Sequence, residues 1–168
     1  MTLRERAYAV ARTVTDPELP MLTLDDLGVL RAVDVTDDGE VVVAITPTYS
    51  GCPAMAAMRD DLVRSLAEDG IEARVRVQLS PAWTSDWISD RGRQALADAG
   101  ISPPRPGVAT TRHTGPVPIA LGLTRRSLTC PQCGSAATEL TSEFGPTSCK
   151  ALYRCTACLE PFEHVKEI

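Results

Sequence analysis

Cysteine carries most of the chemistry open to this chain of 168 residues. Five of its six cysteines, Cys130, Cys133, Cys149, Cys155 and Cys158, crowd the last quarter, and Cys52 stands alone. Cys130-Pro-Gln-Cys133 and Cys155-Thr-Ala-Cys158 are two Cys-x-x-Cys pairs separated by 21 residues. Each pair predicts a tight turn whose two sulfurs point at one ion, and two such turns give the closed thiolate tetrahedron of a structural zinc. A redox pair or an iron site is the other chemistry this spacing allows. So short a segment, with few large apolar side chains, buries too little to fold unaided, and bound zinc would supply the missing free energy. Cys149 reads as a small apolar strand residue or a substitute ligand. His164 is a further candidate ligand, but four cysteines already complete the shell.

Cys52 follows the loop Thr46-Pro-Thr-Tyr-Ser-Gly and precedes a helical pattern. A helix start lowers a thiol's pKa and favours thiolate. Thr46, Thr48, Tyr49 and Ser50 add hydroxyls. Asp16 and Glu18, in the Pro-bracketed Asp-Pro-Glu-Leu-Pro loop, are candidate carboxylates for the same corner. Thiolate, carboxylates and hydroxyls together would make an open site for labile iron or a cluster. An inert cysteine at a helix start explains Cys52 equally well. Nucleophilic catalysis fits less well, because residues 1–107 hold no histidine and a base would have to be His113.

The elements that must hold these residues follow from the apolar pattern. Thr2 and Glu5 make a capping box for a first helix, with Leu3, Ala7, Val10, Ala11 and Val14 on one face. A strand is predicted over Val29 to Val35, a turn at Asp37 to Glu40, and a central returning strand over Val41 to Thr46. Met55, Met58, Leu62, Val63 and Leu66 mark a second helix stopped by Gly70. Val75, Val77 and Leu79 alternate as the inward residues of a third strand. A last helix runs from about Ser89 to Ala99. A hairpin followed by a crossover helix predicts a small three-stranded mixed sheet with packed helices, an α+β two-layer arrangement. Trp83 and Trp87 would plug the end of this sheet or anchor a partner.

Lys+Arg number 17 and Asp+Glu 22, a net charge of −5. That balance argues against binding nucleic acid or anionic lipid. The ribbon carries no basic stripe with interleaved aromatics, so a protein-docking ribbon is expected, with Glu160-Pro-Phe162 as its edge. No apolar run approaches the ~20 residues of a membrane helix. Arg4, Glu5, Arg6 and Arg12 leave no room for a signal segment, so the chain is expected to be cytoplasmic. Five of 13 prolines fall between Ile101 and Ala120. The expected organisation is a domain over 1–104, a Pro-rich linker over 105–125 and a zinc ribbon over 126–168.

Asp16 to Pro20, the Asp-Leu-Gly-Val-Leu at 26–30, the Thr-Pro-Thr-Tyr-Ser-Gly-Cys-Pro-Ala at 46–54 and the segment 81–89 together resemble the SufT-like metal–sulfur cluster assembly family. The C-terminal cysteine segments resemble the zinc-ribbon extension of one subgroup, the PaaD proteins associated with phenylacetyl-CoA epoxidase. The resemblance implies an iron–sulfur-assembly-like fold and a role in aerobic phenylacetate degradation. It implies a non-catalytic accessory that helps mature or assemble a di-iron oxygenase with an iron–sulfur reductase. Under it, Cys52 is the metal-linked cysteine, Asp16 and Glu18 the acidic loop, and Thr46 and Thr48 the threonine loop. Transient iron or an iron–sulfur cluster would be the cargo, held on one chain or across a homodimer. A structural docking subunit without metal transfer is the alternative. The sequence lacks Glu-x-x-His pairs, a Gly-rich dinucleotide loop and a ferredoxin cysteine run.

Overall fold

The computed structural model describes residues 1–49, 51–107 and 128–168. Most of the expected linker, with Pro116, Pro118 and His113, lies outside the described residues. The chain divides into two compact units, 1–95 and 96–168.

The first unit is built around one short strand. β2 (Val41–Ile45) is all apolar, mostly β-branched, and every residue in it is buried. β1 (Leu30–Val35) pairs with it antiparallel through a turn at Thr36 to Glu40, where Gly39 adopts φ +83°. β3 (Ala73–Val77) pairs with β2 in parallel, so β2 is the middle of a β1-β2-β3 sheet. The parallel return needs a crossover, and α2 (Met55–Glu68) supplies it. α1 (Leu3–Ala11) starts at the expected capping box: Thr2 Oγ1 accepts the Glu5 amide and Glu5 accepts the Thr2 amide. It packs on β1, β2 and α2, burying the small Ala7 and Ala11. α2 stops as predicted, with Gly70 at φ +71° and the Ile71 amide reaching back to Leu66. The element order α-β-β-α-β-α and the mixed sheet match the expectation.

Periodicity overstated the core in three places. Val63 is 41% exposed, and of the β3 alternation only Val75 is buried, Val77 and Leu79 being 46% and 66% exposed. Alternation fixes which face residues share, but cover depends on what lies above them, and β3 is an edge strand. Leu3, on the expected buried stripe of α1, is also exposed.

The loop between α1 and β1 is tied down by two side chains, Asp26 and Trp83. Asp26, 5% exposed, accepts from the Thr23 amide and hydroxyl, from Ser89 Oγ (2.8 Å) and from Arg91. Ser89 in turn caps α3 (Asp90–Asp98) through the Gly92 amide. Burial alone would raise the Asp26 pKa, but these donors and the Arg91 charge outweigh it and hold the carboxyl below its ordinary value of 3.8. Trp83, 5% exposed, donates Nε1–H to the Leu27 carbonyl at 2.8 Å, so it plugs this end of the unit. The Trp87 backbone lies so close to Gly28 that a Cβ there would meet Trp87 Cβ at 2.6 Å, and Gly28 sits at φ +67°.

The second unit begins in the last turn of α3. After Gly100 (φ +77°) the chain runs beside β6 (Pro161–Val165): the Ser102 amide donates to Glu163 and the Val165 amide to Ser102. β4 (Thr138–Ser142), β5 (Lys150–Cys155) and β6 form an antiparallel β4-β5-β6 sheet. Among the described residues, one buried cluster joins Leu128, Cys130, Ala151, Tyr153, Cys155 and Phe162. Phe162 stacks on Tyr153 with ring centroids 5.9 Å apart. The Glu160-Pro-Phe162 edge expected for docking therefore places its aromatic inside the ribbon, because β6 needs an inward residue opposite Tyr153.

Two outcomes test this packing. Gly28→Ala should cost about 2–5 kcal/mol in urea unfolding, from left-handed strain plus the clash, whereas Gly39→Ala, with nothing within 4 Å, should cost only the strain of about 1–2 kcal/mol. Asp26→Ala should cost about 2–3 kcal/mol by stranding its donors. Because the folded pKa is depressed, that contribution is complete above pH 3.8 and fades as pH falls through the folded value, so wild type and Asp26→Ala should converge in stability in acid.

Candidate functional site

The two cysteine turns are built alike. In the first, the Gly134 amide donates to the Cys130 carbonyl and the Cys130 amide to Ser135, with Gly134 at φ +73°. In the second, the Cys155 amide donates to Glu160, and Leu159 takes the equivalent left-handed position at φ +68°. Glycine bears that conformation without cost; leucine does not, so the turn is held by its surroundings.

The turns bring four sulfurs together. The Sγ atoms of Cys130, Cys133, Cys155 and Cys158 all lie within 4.8 Å of one another. Cys130 and Cys158 are 3.8 Å apart, and Cys133 and Cys155 3.6 Å. A tetrahedron with metal–sulfur bonds of about 2.3 Å has edges of about 3.8 Å, so the donor set fits a tetrahedral thiophilic ion. Cys155 and Cys130 are buried, while Cys133 and Cys158 face outward. The Cys158 amide, helped by that of Ala157 and by the neighbouring sulfurs, draws the Cys155 thiol down to about 6 against the cost of its burial. The Glu160 amide favours thiolate at Cys158, but burial and the sulfurs of Cys133, Cys155 and Cys130 push it up to about 12. Crowded thiolates repel, and a bound cation removes that repulsion.

Cys149 lies outside the quartet. Its sulfur is 3.2 Å from Thr147 Oγ1, and its carbonyl accepts the Lys166 amide as β5 begins. His164 also lies outside. It is 3% exposed, with Nδ1 3.1 Å from the Ser102 carbonyl and Nε2 3.7 Å from Glu167.

The Cys52 corner is arranged differently from a closed site. β2 ends at Ile45, and the next residue, Thr46, is 1% exposed with its amide on the Val29 carbonyl. Thr46 Oγ1 is buried with no hydrogen-bond partner. Thr48 and Cys52 are half-buried. The Cys52 amide donates to the Tyr49 carbonyl, and the Met55 amide to the Cys52 carbonyl. α2 starts only at Met55 and has no side-chain cap, so Cys52 and Pro53 occupy the turn ahead of the helix, not its first turn. Asp16 is 4% exposed, and its Oδ1 accepts the amides of Glu18 (2.7 Å) and Leu19 (2.9 Å). That carboxylate folds its own loop. Glu18 is exposed. Among the described residues, the ribbon quartet is the converging set of metal-ligating groups; Cys52, Asp16 and Glu18 do not form one.

An Escherichia coli (strain K12) protein, named as a subunit of a "Putative 1,2-phenylacetyl-CoA epoxidase", is 41% identical over 160 residues, covering 95% of this chain and 90% of its own length. The chain belongs to the PaaD family. Residues 114–166 match the PaaD zinc beta ribbon domain, and residues 4–79 match the iron-sulfur cluster assembly protein family. The N-terminal part is also similar to the "Fe-S protein maturation auxiliary factor SufT" of Staphylococcus aureus, 35% identical over 49% of this chain and 96% of that protein. YitW of Bacillus subtilis, another Fe-S protein maturation auxiliary factor, is 30% identical over 56% of this chain and 93% of its own. The crystal structure of a DUF59 domain from Bacillus anthracis has the same fold, with a TM-score of 0.51 at 27% identity, covering 55% of this chain and 90% of that one. The PaaD family thus joins an iron–sulfur-assembly fold to a four-cysteine ribbon suited to structural metal binding. Among the described residues, no helix is long and apolar enough to cross a membrane.

Metal removal checks the quartet. Cys130→Ser or Cys155→Ser should drop the metal content, read by elemental analysis, from one ion per chain to near zero. A strong chelator should abolish the near-ultraviolet circular dichroism of Tyr153 while the fluorescence of Trp83, buried in the first unit, stays unchanged.

Proposed function

We propose that this protein is an accessory subunit of a multicomponent phenylacetyl-CoA epoxidase, acting in the cytoplasm to assist insertion of iron or an iron–sulfur cluster. It performs no epoxidation itself. The ribbon holds one structural zinc in Cys130, Cys133, Cys155 and Cys158. Cys52 is the transfer thiol: its thiolate holds iron or a cluster transiently, as cargo, before passing it to an epoxidase component or its iron–sulfur reductase. Thr46 and Thr48 line the approach, and Asp16 and Glu18 form the flanking loop. Residues 1–104 carry this work and 126–168 form the ribbon.

The observation that carries the reading is a conjunction on one chain. The relative that spans both halves is named as an epoxidase subunit, while relatives that span only the first half are named as Fe-S maturation factors. A half-buried cysteine ahead of α2 suits a transient holder better than a permanent one. Closed sites use four ligands, as the ribbon does; a single sulfur leaves the cargo open to capture by a partner.

Cys52→Ser, co-expressed with the epoxidase components, tests the transfer role. The purified epoxidase and reductase should lose at least about half of their iron, while the zinc content of the variant stays at one per chain and its melting temperature is unchanged. Full iron content with the variant would reject transfer through Cys52.

A further inference from the structure

Among the described residues, Arg31 meets no carboxylate. The β1–β2 register shifts between Leu30 and Ala32: Leu30 pairs with Ile45 and Ala32 with Ala44, so Arg31 is the extra residue of a β-bulge. A bulge re-aims the side chain it carries. Here it lays the guanidinium on the Trp87 indole, with the carbon Cζ 3.6 Å from the ring centroid. Nη1 has one long hydrogen bond, 3.5 Å to the Gly28 carbonyl, and Nε is shielded from solvent with no acceptor. Six other arginines of this unit meet carboxylates, Arg4 with Asp34, Arg6 with Asp69, Arg12 with Asp25, Arg64 with Asp61, Arg74 with Glu40 and Arg91 with Asp26, while Arg76 donates to Gln78. Arg31 forms no such pair with any described residue.

The platform is fixed before anything arrives. Trp87 closes the short helical turn Ser85–Trp87, which Thr84 caps. Its Cβ and carbonyl press on Gly28, where no side chain would fit. A guanidinium flat on an indole keeps its edge for a planar acceptor and loses little freedom on binding one. Among the described residues β1 is an edge strand, and Arg31 and Trp87 are both half-buried there.

We infer that Arg31 and Trp87 form a docking point for an acidic side chain of a partner protein, whose carboxylate meets the guanidinium edge. The occupant follows from charge complementarity: a stacked, partly desolvated cation without an anion. Arginine and tryptophan are also the residue types in which interface free energy concentrates. Residues 1–107 carry 11 Arg against 17 Asp+Glu, so the overall field repels an acidic partner and the attraction has to be local. The inference rests on the reading above, in that the partner is taken to be an epoxidase component, but it does not involve Cys52.

The test measures binding of the full chain to the purified assembled epoxidase and to its purified reductase by biolayer interferometry. Four proteins are compared: wild type, Arg31→Gln, Arg31→Lys and Arg59→Gln. Arg59→Gln alters an exposed α2 residue and removes the same charge. Wild type and Arg59→Gln should bind alike, Arg31→Gln at least about tenfold more weakly, and Arg31→Lys in between, because lysine keeps the charge but not the flat stack. If Arg31→Gln proves unstable by circular dichroism, Arg31→Lys decides. Wild-type binding with no loss in either Arg31 variant would overturn the docking point and leave the epoxidase reading standing. No binding by wild type to either component would overturn both.

Discussion

Burial of β2 on both faces is the constraint from which the first unit follows. Five consecutive residues, Val41 to Ile45, contribute no polar side chain, so neither face can meet water. Each such side chain contributes about 1.5–3 kcal/mol when covered, and that cover has to come from elements on both sides of the strand. β1 and β3 satisfy its backbone, one antiparallel through a tight turn and one parallel through a helix. Once that is settled, the position of everything at its C-terminal end is settled too. Thr46 is carried in immediately after Ile45, its amide fixed on Val29, and the chain has only the Pro47 to Ala54 segment in which to reach α2. Cys52 lies in that obligatory connection. The sheet thereby sets where the half-buried thiol of Cys52 stands, ahead of α2.

The ribbon meets the same requirement by other means. Its buried cluster has six members, two of them cysteines, and its strands carry exposed Leu140 and a Leu159 in a left-handed conformation. A cluster of that size, taken alone, does not offset the entropy of ordering such a segment. A structural metal site in such modules contributes about 10–16 kcal/mol. The sulfur separations of 3.6 and 3.8 Å show where that contribution enters. The depressed Cys155 and raised Cys158 describe the same crowding electrostatically: thiolate is favoured at one and disfavoured at the other.

What the sequence revealed depended on how local the cause was. Capping at Thr2, the turn at Gly39, the stops at Gly70 and Gly100 and the central β2 are set by neighbours within a few residues, and each was legible. The quartet was legible because two short turns carry their own geometry. Exposure of Val77 and Leu79, and burial of Phe162, depend on what packs above a strand, which alternation does not encode. The same holds for the site. Cys52 could be placed before a helix, but not three residues ahead of its first turn. Asp16 could be placed in a loop, but not seen to commit Oδ1 to the amides of Glu18 and Leu19. Residues acting across the fold, such as Asp26 with Ser89 or Arg31 with Trp87, had no sequence signature, because their partners lie more than fifty positions away.

Asp26 and Arg31 also show how the fold separates stability from recognition within a few residues. Both belong to the segment between α1 and β2, and both meet the residues around α3. Asp26 is saturated: its donors include a hydroxyl, an amide, a second hydroxyl and a guanidinium, and all of them hold the loop. Arg31 is the reverse, with a buried Nε lacking an acceptor and a charge lacking a counterion among the described residues. Leaving a donor unmet costs more than a typical hydrogen bond contributes, and the stack on the Trp87 indole offsets part of that cost. A hydrophobic residue could stack on Trp87 with no such penalty. An acceptor from outside would complete the guanidinium's hydrogen bonding, and a group stabilised in that way discriminates strongly between presence and absence of its partner.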